Sequence, residues 1–211
     1  MSSSLVNLVI AGVGGQGNVL ASQIIGRTAV ACGWKVASAD TFGVSQRGGS
    51  VMSHLRLAPQ GSYGPLVPPK RAHIILGLEP LETARVLSTY GNPHTKLLLN
   101  PRPNFPLAVL IRERSYPDLH QLLSHIRNQS SEVREIQAAQ LAETAGTLLA
   151  QNVVMTGALA GTGWLPFPAE AYKRVLNSIF GSDQSKSKKL DLNLYAFELG
   201  YQAATHAAQA S

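Results

Sequence analysis

The segment AGVGGQG, residues 11–17, joins a buried apolar run to a helical pattern and so defines the first structural unit of the chain. Residues 5–11 are rich in Val and Ile, which is typical of a buried strand. Residues 18–32 carry apolar side chains at helical spacing, and Gly33 supplies a stop. Residues 35–39 return to a strand pattern. The start of the chain therefore predicts a β-α-β unit with a right-handed crossover and a parallel strand pair.

The glycines of this segment suggest a ligand. Gly12, Gly14 and Gly17 spell G-x-G-x-x-G between the predicted strand and helix. Such a turn brings backbone close to a pyrophosphate, and the helix N-terminus supplies N–H donors and partial positive charge. Asp40 ends the second strand 23 positions after Gly17, near the place of a ribose-binding carboxylate. Two interpretations stay open from the loop alone: a nicotinamide dinucleotide site, or a turn needed only for helix–strand packing.

The remaining pattern predicts an α/β fold with a Rossmann-like open, mainly parallel sheet, helices on both faces and extra C-terminal helices. A single domain over residues 1–211 is expected, with a mobile basic linker at 182–190 before the last helix. We predict further strands at 51–57, 72–78, 96–100 and 107–111, and helices at 80–91, from 117, and at 137–150, 152–161, 168–180 and 191–208.

The composition favours a chain that is partly buried against another protein. Charged residues make up 14% of the sequence, against roughly 25% in ordinary soluble domains. The net charge of +6 fits an anionic ligand, an acidic partner or nucleic acid. Nucleic acid is not favoured, because no Lys/Arg block is interleaved with aromatic residues. No signal peptide or membrane-length apolar run is seen, so we expect a cytoplasmic protein with no membrane contact.

Cys32 is the single cysteine of the chain. No internal disulfide can form, which indicates a reducing compartment. One thiolate also cannot hold an iron–sulfur cluster that needs four cysteines of one chain. We expect Cys32 to be a buried helix residue.

A second glycine-rich segment, TFGVSQRGGS at 41–50, precedes a strand of alternating character. Arg47 stands beside Gly48 and Gly49, where a guanidinium can bind phosphate or carboxylate through two hydrogen bonds. An exposed turn arginine is the alternative. In the following strand, Met52, His54 and Arg56 share the more polar face. No motif in the chain places a proton-transfer pair of the kind that a simple dehydrogenase uses.

GVGGQG at 12–17 followed by SQRGGSVMSHLRL at 45–57 strongly resembles the gamma subunit or domain of the 2-oxoacid:ferredoxin oxidoreductases. The likeness is greatest to the small (beta) subunit of the indolepyruvate branch. It continues through ILGLEPLETAR at 75–85, NVVMTGALAG at 152–161 and NLYAFELGYQ at 193–202, in the same order. The pair GGQG and QRGG is far more specific than G-x-G-x-x-G alone.

The resemblance implies one gamma-type domain of the pyruvate/ketoisovalerate oxidoreductase kind. It implies a complex that oxidatively decarboxylates a 2-oxoacid, indolepyruvate or another aryl pyruvate, with coenzyme A, giving acyl-CoA and reduced ferredoxin. Thiamine diphosphate, Mg²⁺ and iron–sulfur clusters would belong to a large partner subunit. This chain would bind none of them alone, would be inactive alone and would meet ferredoxin through the complex. The alternative is a free-standing NAD(P)-binding Rossmann-type protein that uses Gly12, Gly14, Gly17 and Asp40.

The ligand- or partner-facing candidates are expected to cluster at the carboxyl edge of the sheet, where loops of α/β folds bind ligands. Two roles stay open for that edge: holding the phosphates of coenzyme A, or docking the partner without ligand contact. For His54 an interface role is favoured over a catalytic one, and Asn152 and Asn193 are expected to be helix caps. The candidates are Gly12, Gly14, Gly15, Gln16, Gly17, Gln46, Arg47, Gly48, Gly49, His54 and Arg56.

Overall fold

The computed structural model describes residues 5–42, 49–105, 107–113, 115–181 and 187–209. Their centre is one six-stranded sheet with strand order β2-β3-β1-β4-β5-β6. The strands are β1 (Val6–Val13), β2 (Lys35–Phe42), β3 (Ser50–Ala58), β4 (Ile74–Gly77), β5 (Lys96–Leu99) and β6 (Glu132–Glu135). The helices are α1 (Asn18–Ala31), α2 (Pro80–Tyr90), α3 (Leu107–Leu110), α4 (Leu119–Asn128), α5 (Ala138–Ala145), α6 (Gln151–Gly161), α7 (Ala169–Phe180) and α8 (Ser187–Gln209), with a 3₁₀ turn at Leu148–Ala150.

The sheet is mainly parallel, as predicted, and β3 is its antiparallel member. β1 pairs in parallel with β4, β4 with β5, and β5 with β6, whereas β3 is antiparallel to both β1 and β2. The predicted pairing of β1 with β2 is wrong, because β3 lies between them. The connection from β2 to β3 is too short for a crossover, so β3 returns antiparallel beside β2.

Helices cover both faces of the sheet. Leu8 and Ile10 of β1 belong to a core that continues through α1 and the helices α5 to α8. Val9 and Ala11 point to the other face and belong to a second core with α2 and α4. This alternation is the two-residue period of a central strand that is buried on both sides. The extra C-terminal helices therefore complete one face of the sheet.

The pair α6 and α8 forms the closest helix contact of the C-terminal part. A Cβ at Gly157 would overlap the carbonyl of Phe197, and one at Gly200 would overlap the carbonyl of Val154. The two backbones touch because these positions carry no side chain. Among the helices that the structure describes, none is long and apolar enough to cross a membrane.

Several boundaries differ from the predictions. Residues 107–110 form helix α3 instead of a strand, and Gly146, in a left-handed conformation (φ 110°), divides the predicted helix 137–150. Strand β6 was not predicted, because its sequence EVRE has no apolar run; Glu132 pairs with Lys96 (3.4 Å) and Arg134 (2.7 Å), a charged pattern typical of an edge strand. Of the predicted linker, 182–186 lie outside the described residues, and 187–190 already belong to α8.

Candidate functional site

Gln16 cross-links the glycine loop to the neighbouring strand. Its Oε1 accepts a hydrogen bond from the backbone N–H of Val13 (2.8 Å), and its Nε2 donates to the carbonyl of Leu78 (3.1 Å). Val13 ends β1 and Leu78 follows β4, so the side chain bridges the crevice between these two strands. That crevice is where the diphosphate of a dinucleotide crosses a Rossmann sheet. Here a carboxamide of the chain itself occupies it.

Gly17 lets the loop approach helix α6. It precedes α1 with φ at 83°, the left-handed region that favours glycine. The Asn152 Nδ2 donates to the Gly17 carbonyl (3.2 Å), and a Cβ at Gly17 would overlap that amide group. The loop is also bound to β3, since the Gly14 N–H donates to the Gly49 carbonyl (2.8 Å). Segments far apart in sequence therefore meet at this loop.

Two cavities flank the glycine loop. One, of about 410 Å³, lies on the Gly14, Gly17 and Val51 side, at the N-terminus of α1. No side chain caps that helix end, so its first N–H groups and partial positive charge face the cavity. The other, of about 200 Å³, has a lining without charged residues: Gly15, Gln16, Leu78, Asn100, Asn104, Leu148, Leu149, Gln151, Asn152 and Met155.

Carboxamides supply most of the polar groups of the smaller cavity. Asn100 follows β5 and donates from Nδ2 to the carbonyl of Leu78 (3.2 Å), the same oxygen that Gln16 contacts. Asn152 and Gln151 open α6 beside it. Such groups both donate and accept hydrogen bonds without carrying charge. The cavity is suited to a neutral, hydrogen-bonding group with apolar surroundings.

A buried carboxyl, Glu79, organises the segment that leaves β5. Glu79 caps α2: its Oε2 accepts from the Glu82 N–H (2.9 Å), while the Tyr116 hydroxyl donates to Oε1 (2.6 Å). Burial raises the pKa of Glu79 above its ordinary value, although the Tyr116 hydrogen bond opposes that shift. Burial likewise raises the pKa of Tyr116.

Asp40 is not placed to bind a ribose beside the glycine loop. It pairs with Ser53 of β3 on the outer strand β2, and β3 separates it from β1. Two strand spacings, about 10 Å, therefore separate the strand of Asp40 from β1. With Gln16 in the crevice as well, the geometry does not support the NAD(P)-binding alternative.

The predicted cluster of site residues holds in part. The structure brings together Gly12, Gly14, Gly15, Gln16, Gly17 and Gly49 at the carboxyl edge of the sheet. Gln46, Arg47 and Gly48 lie outside the described residues.

The prediction that His54 and Arg56 join this edge is wrong. β3 begins at the edge, where Ser50 pairs with Val13, and then runs away from it because it is antiparallel. His54 is 1% exposed; its Nδ1 accepts from the Val67 N–H (3.3 Å), and burial lowers its pKa. It is a core residue of the sheet.

Arg56 reaches the opposite, amino edge. It pairs with Asn7 at the start of β1, and its Nε donates to Asn7 Oδ1 (3.1 Å). Its Nη1 donates to the Gly64 carbonyl (3.1 Å), and its guanidinium lies over the Tyr63 ring. These contacts hold the proline-rich loop between β3 and β4, residues 59–73.

Two predicted caps also differ. Asn193 lies inside α8, where its Nδ2 donates to the Lys189 carbonyl (2.7 Å) four residues earlier. Asn152 is the second residue of α6, and its Nδ2 donates to the Gly17 carbonyl of the glycine loop. Cys32 is half-buried and caps the C-terminus of α1.

Sequence reasoning missed Glu79, Asn100, Asn104 and Tyr116. A signal existed for Glu79 and Asn100, since Glu79 directly follows a predicted strand and Asn100 is the last residue of another, where carboxyl-edge side chains converge. No local signal links Tyr116 to Glu79, which lies 37 residues earlier. Within the described ranges, no group of three His, Cys, Asp or Glu side chains could hold a metal ion.

Comparisons with known proteins agree with the fold and extend over most of the chain. Residues 7–203 match the family model of pyruvate ferredoxin/flavodoxin oxidoreductase. The chain is 37% identical over 199 residues to the indolepyruvate oxidoreductase subunit IorB of Archaeoglobus fulgidus, covering 94% of this chain and 95% of that one. Identity to the IorB subunit of Thermococcus kodakarensis is 35%, with the same coverage.

Solved structures share the fold at low sequence identity. The pyruvate oxidoreductase subunit PORC of Thermotoga maritima superposes with a TM-score of 0.68 at 18% identity, covering 94% of this chain and 96% of that one. A 2-oxoglutarate:ferredoxin oxidoreductase of Magnetococcus marinus, with 2-oxoglutarate, coenzyme A and succinyl-CoA bound, gives 0.73 at 20% identity; the match covers 96% of this chain and 31% of that one. The chain belongs to the pyruvate ferredoxin/flavodoxin oxidoreductase family.

Proposed function

We propose that this chain is the small subunit of an indolepyruvate:ferredoxin oxidoreductase, an enzyme complex that converts an aryl pyruvate and coenzyme A into acyl-CoA. The observation that carries the proposal is the full-length similarity to IorB subunits of indolepyruvate oxidoreductases. The Gln16 side chain supports it over a free-standing dinucleotide enzyme, because it bridges β1 and β4 at the point where the diphosphate of a dinucleotide crosses a Rossmann sheet.

The redox cofactors are assigned to the larger partner subunit. Iron–sulfur clusters need several cysteines, and this chain has one. Thiamine diphosphate with Mg²⁺ would stabilise the carbanion formed from the oxoacid, and ferredoxin would receive the electrons through the complex. This chain contributes surface and positioning, and we expect the isolated chain to be inactive.

The glycine-loop edge is proposed to face the partner's active site and to hold the phosphates of coenzyme A. The uncapped N-terminus of α1, a helix of 14 residues, opens on the cavity of about 410 Å³ beside Gly14 and Gly17. Such a helix end favours anions. Arg47, two positions before the Gly49 that Gly14 contacts, is the proposed cationic partner of those phosphates.

Co-expression of this chain with the large subunit tests the main proposal. A tag on this chain should retain the large subunit, and the purified complex should reduce a ferredoxin or a dye when indolepyruvate and coenzyme A are both present. Titration of the isolated chain with NAD(H) is the discriminating control. Stoichiometric NAD(H) binding together with activity of the chain alone would overturn the proposal.

Steady-state kinetics separate coenzyme A binding from simple docking. Arg47→Ala should raise the KM for coenzyme A by about tenfold, the loss expected for a charge-assisted hydrogen bond, with the complex still assembled. Arg27→Ala, at an exposed arginine of α1, is the matched control and should leave that KM unchanged. An unchanged KM in the Arg47 variant would favour the docking role.

A further inference from the structure

Exposed apolar side chains concentrate at the carboxyl edge of the sheet. Nine large apolar residues of the described ranges are exposed, and five of them lie in two segments that leave this edge. We call these five the apolar rim: Phe105, Leu110, Ile111, Leu148 and Leu149. Leu149 is 86% exposed, and Leu110 is 63% exposed. A concentration of exposed apolar side chains at one edge indicates an interaction surface.

The two segments of the rim meet at the smaller cavity. Leu148 and Leu149 line it together with Asn104, which directly precedes Phe105. Leu110 and Ile111 belong to an excursion between Phe105 and Tyr116, whose rings pack edge to face at 5.1 Å. Because the two ends of that excursion touch, the segment leaves the edge and returns to the same place. The rim therefore borders the glycine loop.

Polar contacts hold both segments of the rim in shape. The Tyr116 hydroxyl, at one end of the excursion, donates a hydrogen bond to the Glu79 carboxylate. The Thr147 hydroxyl accepts from the Leu149 N–H (3.3 Å) and caps the turn that presents Leu148 and Leu149. A surface with an ordered backbone loses less entropy on binding than a mobile one.

The charge distribution favours a protein as the partner of the rim. The cavity inside the rim has no charged lining, although the chain carries a net charge of +6. Beside it, the Arg102 guanidinium faces the Glu143 carboxylate at 4.0 Å. An uncharged centre with charges at its border is the pattern of a protein–protein interface. Nucleic acid or an anionic membrane would require cations at the centre.

We propose that the apolar rim is the surface by which this chain docks on the large subunit, with Leu149 as an anchor that inserts into an apolar pocket of that subunit. The inference rests on the proposed function, since it takes the large subunit as the partner. It goes further in naming the surface and its anchor. Glu79 and Tyr116 act as positioning residues that keep the excursion in its docking conformation.

Affinity between the purified subunits tests the proposal. Leu149→Asp should weaken binding of the large subunit by at least about tenfold, as expected for an anchor placed at the centre of an interface. Leu66→Asp is the matched control: Leu66 is 57% exposed and lies one residue before Val67, which contacts His54 far from the glycine loop. Thermal unfolding should show both variants folded, because neither side chain is part of a core.

The outcomes are distinct. If the wild-type chains form no complex, the proposed function fails, whatever the variants do. If the wild-type complex forms and Leu149→Asp binds as tightly as Leu66→Asp, the docking surface is wrong. Self-association of the isolated chain that Leu149→Asp abolishes, with binding of the large subunit intact, would also overturn the proposal by assigning the rim to a second copy.

Tyr116→Phe probes the positioning role. It removes the hydroxyl that bonds Glu79 and keeps the ring that packs on Phe105. We expect weaker binding of the large subunit, with an increased rate of amide exchange within residues 107–113. Unchanged exchange and unchanged affinity would contradict a positioning role for the pair.

Discussion

At both edges of the sheet a side-chain carboxamide makes two hydrogen bonds, but the two edges differ in whether the backbone around it stays open. At the amino edge, Asn7 donates to the Arg71 carbonyl (2.8 Å) and accepts from Arg56, and these bonds hold a loop closed. At the carboxyl edge, Gln16 also makes two hydrogen bonds, both to the backbone, but the glycines around it leave cavities on both sides. A polar residue thus marks a site only where the backbone around it stays accessible.

The largest expected effect is at Gly17. Gly17→Ala should lower the free energy of unfolding by about 3 kcal/mol, because a left-handed conformation and an overlap with Asn152 both oppose a side chain. Gly15→Ala is the control, since Gly15 has φ at 101° but open space around it, and should cost about 1 kcal/mol. Urea unfolding measures both; equal losses would show that Asn152 moves away without cost.

Substitutions at Gln16 and Asn7 compare the two edges directly. Each side chain makes two hydrogen bonds, so Gln16→Ala and Asn7→Ala should each cost about 2 kcal/mol. Activity of the assembled complex should fall in the Gln16 variant alone, because that carboxamide lines the smaller cavity of the carboxyl edge and fixes the glycine loop that separates the two cavities. Equal activity in the two variants would remove the functional distinction between the edges.

The smallest expected effect is on the pH dependence of stability, through Glu79. Burial raises the folded-state pKa of Glu79 above its unfolded value, so its contribution to stability is present at low pH and is lost as pH rises through the folded pKa. Glu79→Gln stays neutral and should remove this part of the decline, which begins at about pH 4.3, the ordinary pKa of a glutamate. Unfolding at a series of pH values checks it, and parallel curves for both proteins would show that another group causes the decline.

The glycine loop shows how much of the fold can be predicted from local sequence pattern. GVGGQG between an apolar run and a helical period predicted the turn and the start of α1, and both are present. The pattern at Pro80 and Gly91 likewise predicted α2 at its observed bounds. Local propensity and hydrophobic period were sufficient there, since each element buries one side against an apolar core.

The candidate site was predictable only along β1 and its loop. The partners of the loop come from distant segments: Gln16 bonds the Leu78 carbonyl 62 residues away, and Asn152 bonds Gly17 from 135 residues away. Arg56 appeared to share the edge because its motif follows the second glycine loop. The direction of β3, which no local pattern specifies, carries it to the other edge.

By itself, the sequence determined the alternation of strands and helices, the glycine turn at the start of α1 and the family resemblance, because these depend on residue types at short spacing. The tertiary structure alone decided that β3 enters between β1 and β2, that Gln16 occupies the crevice, and that Glu79 meets Tyr116. Those outcomes depend on which segments pack together, and packing is set by the burial of the whole sheet, not by any one segment.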